Sequence, residues 1–249
     1  MKTHLRKLTL LIVSLAATAA TASAQRLFVR GEAGIVVASE SPYDTAGSAG
    51  TIYIGSTLDA ASQHELSVSI GVLGWAEPDV KGYRPDDVRG TTTMRIDGDY
   101  YDIPTGNANF TIDGDTLRLS DGTRITTDYR PALAIVPVMA NYRFYVGQPN
   151  SRMRFFLGAG AGFATMRMES ELWKEFKRNS HAKTQSSTES SFTWSGTAGI
   201  SIKLIDRLHL DFSYAYQSIE GVDFRMTNVT CNLDRMQTHL VRGGATWTF

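Results

Sequence analysis

The residues whose types best suit catalysis are His209, Asp211 and Ser213, which supply the three components of a hydrolytic triad. In a triad the serine attacks an acyl carbon, the histidine accepts the serine proton, and the carboxylate orients the histidine ring. On a β-strand these alternate positions share one face, but the three side chains are spread over two strand repeats. We therefore predict ordinary packing for them, with no enzyme activity, no catalytic residue and no cofactor.

A second candidate chemistry is calcium binding by the carboxylates of the segment Ala76–Arg130. The segment contains eleven acidic and seven basic residues, and it repeats Ile-Asp-Gly-Asp at Ile96–Asp99 and Ile112–Asp115. Carboxylates suit a hard cation, but the twelve-residue spacing of an EF-hand is absent. Asp-Gly pairs between apolar residues, here and at Asp121-Gly122, also predict hairpins because both residues tolerate the positive φ of a type I′ turn. We predict a β-rich loop and no metal site, with calcium as the alternative.

The overall charge is too balanced to indicate a nucleic-acid partner. The chain has 25 basic and 25 acidic residues. Cations and aromatic side chains do occur together within Glu169–Ser190, namely Trp173, Lys174, Phe176, Lys177 and Arg178. We expect a solvated loop there, and a contact with lipopolysaccharide phosphates or a partner is the alternative.

The elements that carry these residues alternate with a period of two, which is typical of β-strands with two different faces. In the first strand the odd residues are apolar or small, whereas Arg30 and Glu32 lie on the opposite face. The pattern predicts eight strands: Leu27–Val37, Thr51–Leu58, His64–Gly74, Ile135–Val146, Arg152–Met166, Phe192–Leu204, Leu208–Tyr216 and Met236–Phe249. If these strands cross a membrane they must form a closed barrel, because lipid leaves no partner for an open sheet edge.

The connections alternate between short and long, as they do in outer-membrane barrels. The short connections lie near Asp59–Gln63, Gly147–Ser151 and Ile205–Arg207, and the long ones are roughly Glu40–Ser48, Ala76–Arg130, Glu169–Ser190 and Ile219–Arg235. We predict an all-β, eight-stranded, antiparallel up-and-down transmembrane barrel with short periplasmic turns and long extracellular loops. A soluble lipocalin-like barrel is disfavoured by the aromatic residues near strand ends, as in a membrane girdle: Trp75, Tyr142, Phe144, Trp194, Tyr214, Tyr216 and Trp247.

Two segments form the candidate central hairpin of this barrel. Pro137–Tyr145 reads Pro-Val-Met-Ala-Asn-Tyr-Arg-Phe-Tyr, and Phe155–Gly162 reads Phe-Phe-Leu-Gly-Ala-Gly-Ala-Gly. With Leu210–Tyr216 and Gly243–Phe249, this hairpin resembles the small outer-membrane β-barrel proteins related to the OmpA and OmpX transmembrane domains. The resemblance covers most of the mature chain and implies the same fold.

The two ends of the chain carry export and assembly patterns. Residues 1–24 combine Lys2, Arg6 and Lys7 with an apolar core and the small-residue pattern Ala22-Ser23-Ala24, which predicts a cleaved signal peptide. Residues 25–249 are then the barrel domain, with 76–130 as its long extracellular loop. Trp247 and Phe249, on the last alternating strand, are predicted to be the signal read by the barrel assembly machinery. We therefore expect an outer-membrane location in a Gram-negative cell.

The inward face of the predicted barrel carries charged residues. They are Arg30, Glu32, Glu65, Arg143, Arg154, Lys203, Asp211 and Arg242. An eight-stranded barrel is just wide enough for side chains to fill, so these residues are expected to meet as one lumen charge network. Across the seam between the first and last strands Arg242 should approach Glu32, and Asp211 should bridge Arg242 and Lys203.

The function predicted from these features is that of a monomeric structural or surface-display protein with a plugged lumen. A narrow pore for ions or small solutes is one alternative, and an adhesin acting through the long acidic loop is the other. The expected partners are outer-membrane lipid, lipopolysaccharide and an unidentified extracellular ligand. His239 has lipid-facing parity near the outer rim, but the sequence places no nucleophile beside it.

Overall fold

The computed structural model describes most of the chain beyond its first 25 residues. The described residues are 26–39, 46–76, 80–82, 91–96, 99–104, 109–113, 116–127, 129–173 and 184–249. The predicted signal peptide at residues 1–24 lies outside these ranges, as do residues 174–178 of the aromatic and basic segment. Within the described ranges no helix is long and apolar enough to cross a membrane.

The described part of the chain is built almost entirely from β-strands. In sequence order they are β1 (Leu27–Ser39), β2 (Ala46–Thr57), β3 (His64–Trp75), β4 (Val80–Gly82), β5 (Thr91–Ile96), β6 (Asp99–Pro104), β7 (Phe110–Asp113), β8 (Thr116–Leu119), β9 (Arg124–Thr126), β10 (Ala132–Val146), β11 (Met153–Ser170), β12 (Gln185–Ile205), β13 (Leu208–Ile219), β14 (Val222–Arg225), β15 (Val229–Leu233) and β16 (Met236–Thr248). The eight long strands correspond to the eight predicted ones. Seven of them extend further at the loop end than predicted, with β2 already beginning at Ala46, whereas β16 begins at Met236 as predicted.

The eight long strands form a closed antiparallel barrel in the order β1, β2, β3, β10, β11, β12, β13 and β16, with β16 pairing back to β1. The predicted fold is therefore confirmed. Three short turns connect the strands at one end, here called the turn rim, and the long segments leave from the other end, here called the loop rim.

The strands are strongly tilted in the barrel wall. Starting from Phe28, hydrogen-bonded partners traced once around the barrel return to β1 at Ala38, a shift of ten residues. A closed sheet with such a stagger must tilt its strands, typically by about 35–45° from the barrel axis. Because of this tilt, two residues that pair on neighbouring strands lie at different heights along the barrel axis.

The two faces of the wall follow the predicted alternation. Outward positions carry exposed aliphatic side chains such as Ile35, Ile54 and Val241, whereas Arg30 and Glu32 are buried inside. Tyr142, Trp194, Tyr214 and Trp247 face outward as predicted for a girdle, each between 41 and 47% exposed. Trp75 was placed wrongly in that girdle. Its odd position on β3 turns it inward with Glu65, and it is only 5% exposed.

The described parts of the long segments form two small sheets above the loop rim, together called the cap (strands β4 to β9, β14 and β15). One sheet has the order β4, β5, β6, and the other has the order β14, β15, β7, β8, β9. Strands β15 and β7 pair in parallel, which joins two loops that lie far apart in the sequence. The predicted hairpins are present, since Ile96 pairs with Asp99 and Asp113 with Thr116.

The turn at Asp121-Gly122 differs from the type I′ turn that the sequence predicts. The Leu119 N–H donates to Thr123 O at 2.9 Å, so the loop contains three residues rather than two. Gly122 alone has a positive φ there, +90°, and the Asp121 side chain accepts a hydrogen bond from the Thr123 N–H. This arrangement is the common three-residue hairpin loop, in which glycine occupies the left-handed position.

Candidate functional site

The barrel lumen contains a buried group of charged side chains near the turn rim. Arg30 lies at its centre and is only 1% exposed. Its Nη2 donates to Glu65 Oε2 at 2.6 Å, and its Nε donates to Asp211 Oδ2 at 3.1 Å. Three different strands therefore supply the two carboxylates and the guanidinium, so the pairing ties opposite sides of the wall together.

Hydroxyl groups complete the surroundings of Arg30. Its Nε also donates to Thr246 Oγ1 at 2.7 Å, and its Nη2 to the Tyr145 hydroxyl at 3.2 Å. The Thr246 hydroxyl donates in turn to Asp211. A buried charge is tolerated when it is both paired and hydrogen-bonded, and Arg30 meets both conditions.

A second part of the network is centred on Glu32. Arg143 Nη2 donates to Glu32 Oε1 at 3.0 Å, and Arg242 Nε lies 3.3 Å from Oε2 without hydrogen-bond geometry. The hydrogen-bonded link between Arg242 and Glu32 runs through Tyr53. The Tyr53 hydroxyl accepts a hydrogen bond from Arg242 Nη1 at 2.8 Å and donates one to Glu32 Oε2 at 3.2 Å. A Cβ at Gly244 would lie 2.8 Å from Glu32 Cγ, so glycine on β16 leaves room for this carboxylate.

Six of the eight predicted network residues are thus brought together, including Glu32 and Arg242 across the seam. The other two lie at the mouth. Arg154 packs over the Tyr145 ring at 4.4 Å and donates to Ser62 O at 2.7 Å. Lys203 pairs with Asp206 at 2.8 Å, beside the last turn. The predicted bridge from Asp211 to Arg242 and Lys203 is wrong, because Asp211 is already bound to Arg30 and Thr246.

Three members of the network were not identified from the sequence: Tyr53, Tyr145 and Thr246. Each occupies an inward position, and Tyr53 and Thr246 stand directly opposite Arg30 on the neighbouring strands. A tyrosine on a buried face needs a hydrogen-bond partner for its hydroxyl, so the alternation combined with residue type could have indicated the two tyrosines. The pairing register, which brings them to Arg30, cannot be read from one strand.

A cavity of about 40 Å³ adjoins the network and is lined by polar side chains including Ser69, Asn141 and Gln217 together with the apolar Leu73 and Leu240. Such a volume holds a few water molecules.

The lumen towards the loop rim is apolar and continues into the cap. Leu73, Trp75, Ile135, Met166 and Leu240 are buried on the inward face of the wall and belong to the same cluster as the cap. The cap contributes Met94, Ile96, Ile103, Phe110, Leu117 and Phe224. Gln185 at the top of β12 also bonds to the Asn228 backbone N–H at 2.9 Å, which anchors the cap to the wall. Among the described residues, one apolar core therefore runs from the cap into the lumen at the loop rim.

Outside the membrane-spanning wall, the pKa values of Asp59 and Cys231 are shifted for different reasons. Desolvation is the largest single contribution at Asp59, in the first short turn, and raises its pKa, but hydrogen bonds from the His64 and Gln63 backbone N–H groups together outweigh it and lower the pKa. In the cap, burial raises the pKa of the Cys231 thiol to about 12, so it stays protonated and unreactive.

The residues with triad chemistry are not arranged as a triad. Asp211 is paired with Arg30, and Ser213 Oγ has no hydrogen-bond partner among the described residues. His209 lines the mouth at the turn rim. Within the described ranges no group of three or more His, Cys, Asp or Glu side chains could hold a metal ion.

The predicted assembly residues lie at the turn rim. Trp247 is 41% exposed and faces outward, and Phe249 follows the end of β16 with 69% of its surface exposed. The Phe249 N–H donates to Leu27 O at 2.9 Å, so the last residue still joins the first strand.

Comparisons with known proteins agree with this architecture. The family profile described as "Outer membrane protein beta-barrel domain" matches residues 8–249. The solved structure of Neisserial surface protein A aligns at 12% identity, covering 90% of this chain and 97% of that chain, with a TM-score of 0.51. A major outer membrane protein from Thermus thermophilus aligns at 11% identity, covering 91% and 100%, with a TM-score of 0.51. These two structures share the fold, and no curated protein sequence matches the chain.

Proposed function

Since the chain belongs to the outer membrane protein β-barrel domain family, we propose that it is a structural and surface-display protein of the outer membrane with a closed lumen. The observation that supports closure is the stacking of two seals inside one barrel. Near the turn rim, Arg30 and Glu32 hold a charged layer together, and near the loop rim the apolar core runs into the cap. No described group of residues supports catalysis, so we propose no enzyme activity.

Planar bilayer recording tests closure against the alternative of a narrow pore. The full-length protein should show no large, stable single-channel current, because each seal alone excludes hydrated ions. A wide porin reconstituted in the same lipid provides the positive control for insertion, since porins with 16 or more strands leave an aqueous channel. A steady current from folded wild-type protein would establish the pore and overturn closure.

Ligand recognition by the cap is the second candidate function, and the outer face of the five-stranded sheet favours it. Hydrogen-bonded neighbours align one row of side chains across that face: Arg225, Thr230, Thr111, Arg118 and Arg124. Arg118 pairs with Asp113 at 3.2 Å on the adjacent row. Although the loop as a whole is acidic, this row is basic, which suits an anionic surface rather than a cationic one.

Binding of intact cells to immobilised anionic polymer tests this second function. Arg124→Glu with Arg225→Glu should reduce cell binding, because both side chains are exposed and point away from the cap core. The matched control is Lys203→Glu at the opposite rim, which should bind as the wild type does. Equal binding by all three proteins would leave structural support as the function and remove the adhesin.

A further inference from the structure

The outward wall near the loop rim carries a chain of polar side chains on three adjacent strands. His239 lies on β16 between Ser39 at the end of β1 and Tyr214 on β13. Its Nε2 is 3.1 Å from Ser39 Oγ, and its Nδ1 is 2.6 Å from the Tyr214 hydroxyl. Both ring nitrogens are thus hydrogen-bonded to hydroxyl groups that face the membrane.

The two hydroxyl groups and the ring form one continuous hydrogen-bonded cluster. An imidazole that donates through one nitrogen and accepts through the other donates to one of these hydroxyl groups, which keeps its own proton free to point outward. The cluster therefore offers a hydroxyl donor to an anionic acceptor such as a phosphate oxygen.

Aromatic rings surround this cluster on the same side of the barrel. Tyr216 packs against the His239 ring at 5.6 Å and against Trp194 at 5.5 Å. The Tyr216 hydroxyl donates to Gln237. The side chains with titratable groups that contact the imidazole are the two tyrosines, Tyr214 and Tyr216. The aliphatic side chain of Val37 lies directly opposite His239 on β1, is 41% exposed and borders the polar cluster.

We propose that Ser39, Tyr214 and His239 form a docking site for the phosphorylated sugar headgroup of an outer-leaflet glycolipid. The cluster faces lipid, so its occupant must be a membrane component. It lies at the loop rim, so the occupant belongs to the outer leaflet. The hydroxyl and imidazole groups select a phosphate, and the neighbouring rings offer flat surfaces to a sugar. The proposal depends on residence in the outer membrane and is independent of whether the lumen is closed.

The chain contains a matched control at the opposite rim. His64 Nδ1 is 2.6 Å from the Tyr142 hydroxyl, and the two rings have the same separation and tilt as His239 and Tyr214, 6.0 Å and 32°. The other side of the His64 ring packs against Phe144 at 5.1 Å. In the described part of the chain no second hydroxyl is hydrogen-bonded to His64. Only one of its ring nitrogens therefore bonds to a hydroxyl, whereas both ring nitrogens of His239 do.

The test uses full-length protein refolded in phosphocholine vesicles that contain bisphosphorylated lipid A, followed by native mass spectrometry of the retained lipid. His239→Phe and the double variant Ser39→Ala, Tyr214→Phe should each retain lipid A about tenfold less than the wild type, the effect of one charge-assisted hydrogen bond. His64→Phe should retain the wild-type amount. Lipid A stripped of its phosphates should bind the wild type as weakly as intact lipid A binds His239→Phe.

The folded state of each variant is checked by heat-modifiable migration in gels, and all substitutions lie on the outer wall. Equal retention by the wild type and His239→Phe would overturn the proposal. So would an equal loss in His64→Phe, undiminished binding of the dephosphorylated lipid, or retention of phosphocholine lipid in place of lipid A. None of these readouts depends on conductance, so they are separate from the test of a closed lumen.

Discussion

Arg30 is the residue on which the charged layer depends most. Replacing it with alanine leaves Glu65 and Asp211 buried without their cation, so Arg30→Ala should destabilise the folded barrel by about 3–5 kcal/mol. Arg242→Ala should cost less, because Glu32 keeps Arg143 as a partner. Urea unfolding in lipid vesicles, followed by tryptophan fluorescence, measures the difference.

Lys203→Ala is the matched control for these two variants. Its partner Asp206 is almost fully exposed, and such a surface pair contributes between zero and about 1 kcal/mol. The order of destabilisation should therefore be Arg30, then Arg242, then Lys203. A loss for Lys203→Ala as large as that for Arg30→Ala would show that the charged layer does not determine stability.

Asp59 provides a pH-dependent contribution at the first short turn. Its pKa is lowered in the folded state, so its stabilising effect is present above the ordinary value of 3.8 and disappears as the pH falls through the lower folded value. Asp59→Ala should lose on the order of 1 kcal/mol at neutral pH, since the carboxylate is largely exposed. Unfolding at neutral pH and at about pH 2 tests the sign. A difference that persists unchanged in acid would contradict it.

The face of the wall on which a charged side chain lies was predictable where the alternation within a single strand defines it. Alternation placed Arg30, Glu65 and Arg242 on the inward face, and the order of the first and last strands placed Glu32 beside Arg242. The hydrogen-bond partners of Asp211 were not predictable, because they depend on which residues the tilted strands bring to the same height along the barrel axis. Lys203 and Arg154 were grouped with the network by parity alone, although both lie beside a turn.

At the scale of elements, the eight wall strands were predictable because lipid on one side and a packed lumen on the other impose strict alternation. The cap was predictable only in part. Asp-Gly pairs marked its local hairpins, whereas the parallel pairing of Val229 with Phe110 joins two separate loops and leaves no periodic signal in either. The boundaries of β11 and β12 were underestimated because outward positions at their loop ends carry polar residues such as Arg167 and Thr188, so the apolar outward pattern stops before the strands end.

The alternation of short turns and long segments predicts which elements face outward from the cell. An epitope tag inserted between Ser120 and Asp121, in an exposed turn of the cap, should bind antibody on intact cells. A tag at Gln148 in the second short turn should bind only after the outer membrane is permeabilised. Labelling of the Gln148 tag on intact cells would invert the orientation.

Strand β16 is also predicted to carry the assembly signal. Phe249→Asp places a charge beside Trp247 at the rim of the lipid-facing wall, where charged side chains are poorly tolerated, so it should slow insertion. Heat-modifiable folded protein in isolated outer membranes is the measurement. Phe249→Tyr, which keeps the ring, is the control. Normal amounts of folded Phe249→Asp barrel would refute the assignment.

For the molecule as a whole, the two proposed seals lie in series along one lumen and differ in chemistry. The charged layer binds opposite strands through side chains of the wall alone, whereas the apolar seal needs the cap. Removing the cap would also expose Leu73, Ile135 and Leu240 to water, which costs free energy in proportion to the apolar area exposed. The cap is therefore part of the folded core.

Seals in series make a specific prediction about conductance. Arg30→Ser with Glu65→Ser disrupts the charged layer, and replacing residues 77–129 and 222–233 with short Gly-Ser linkers removes both parts of the cap from the apolar seal. Either change alone should leave the barrel without a large stable current, because the remaining seal still excludes ions. The combined variant should conduct in planar bilayers, provided that its gel migration shows a folded barrel. Steady current from either single change would show that the seal it removes is the one that closes the lumen. A folded combined variant without current would show that the remaining lumen side chains are enough to exclude ions.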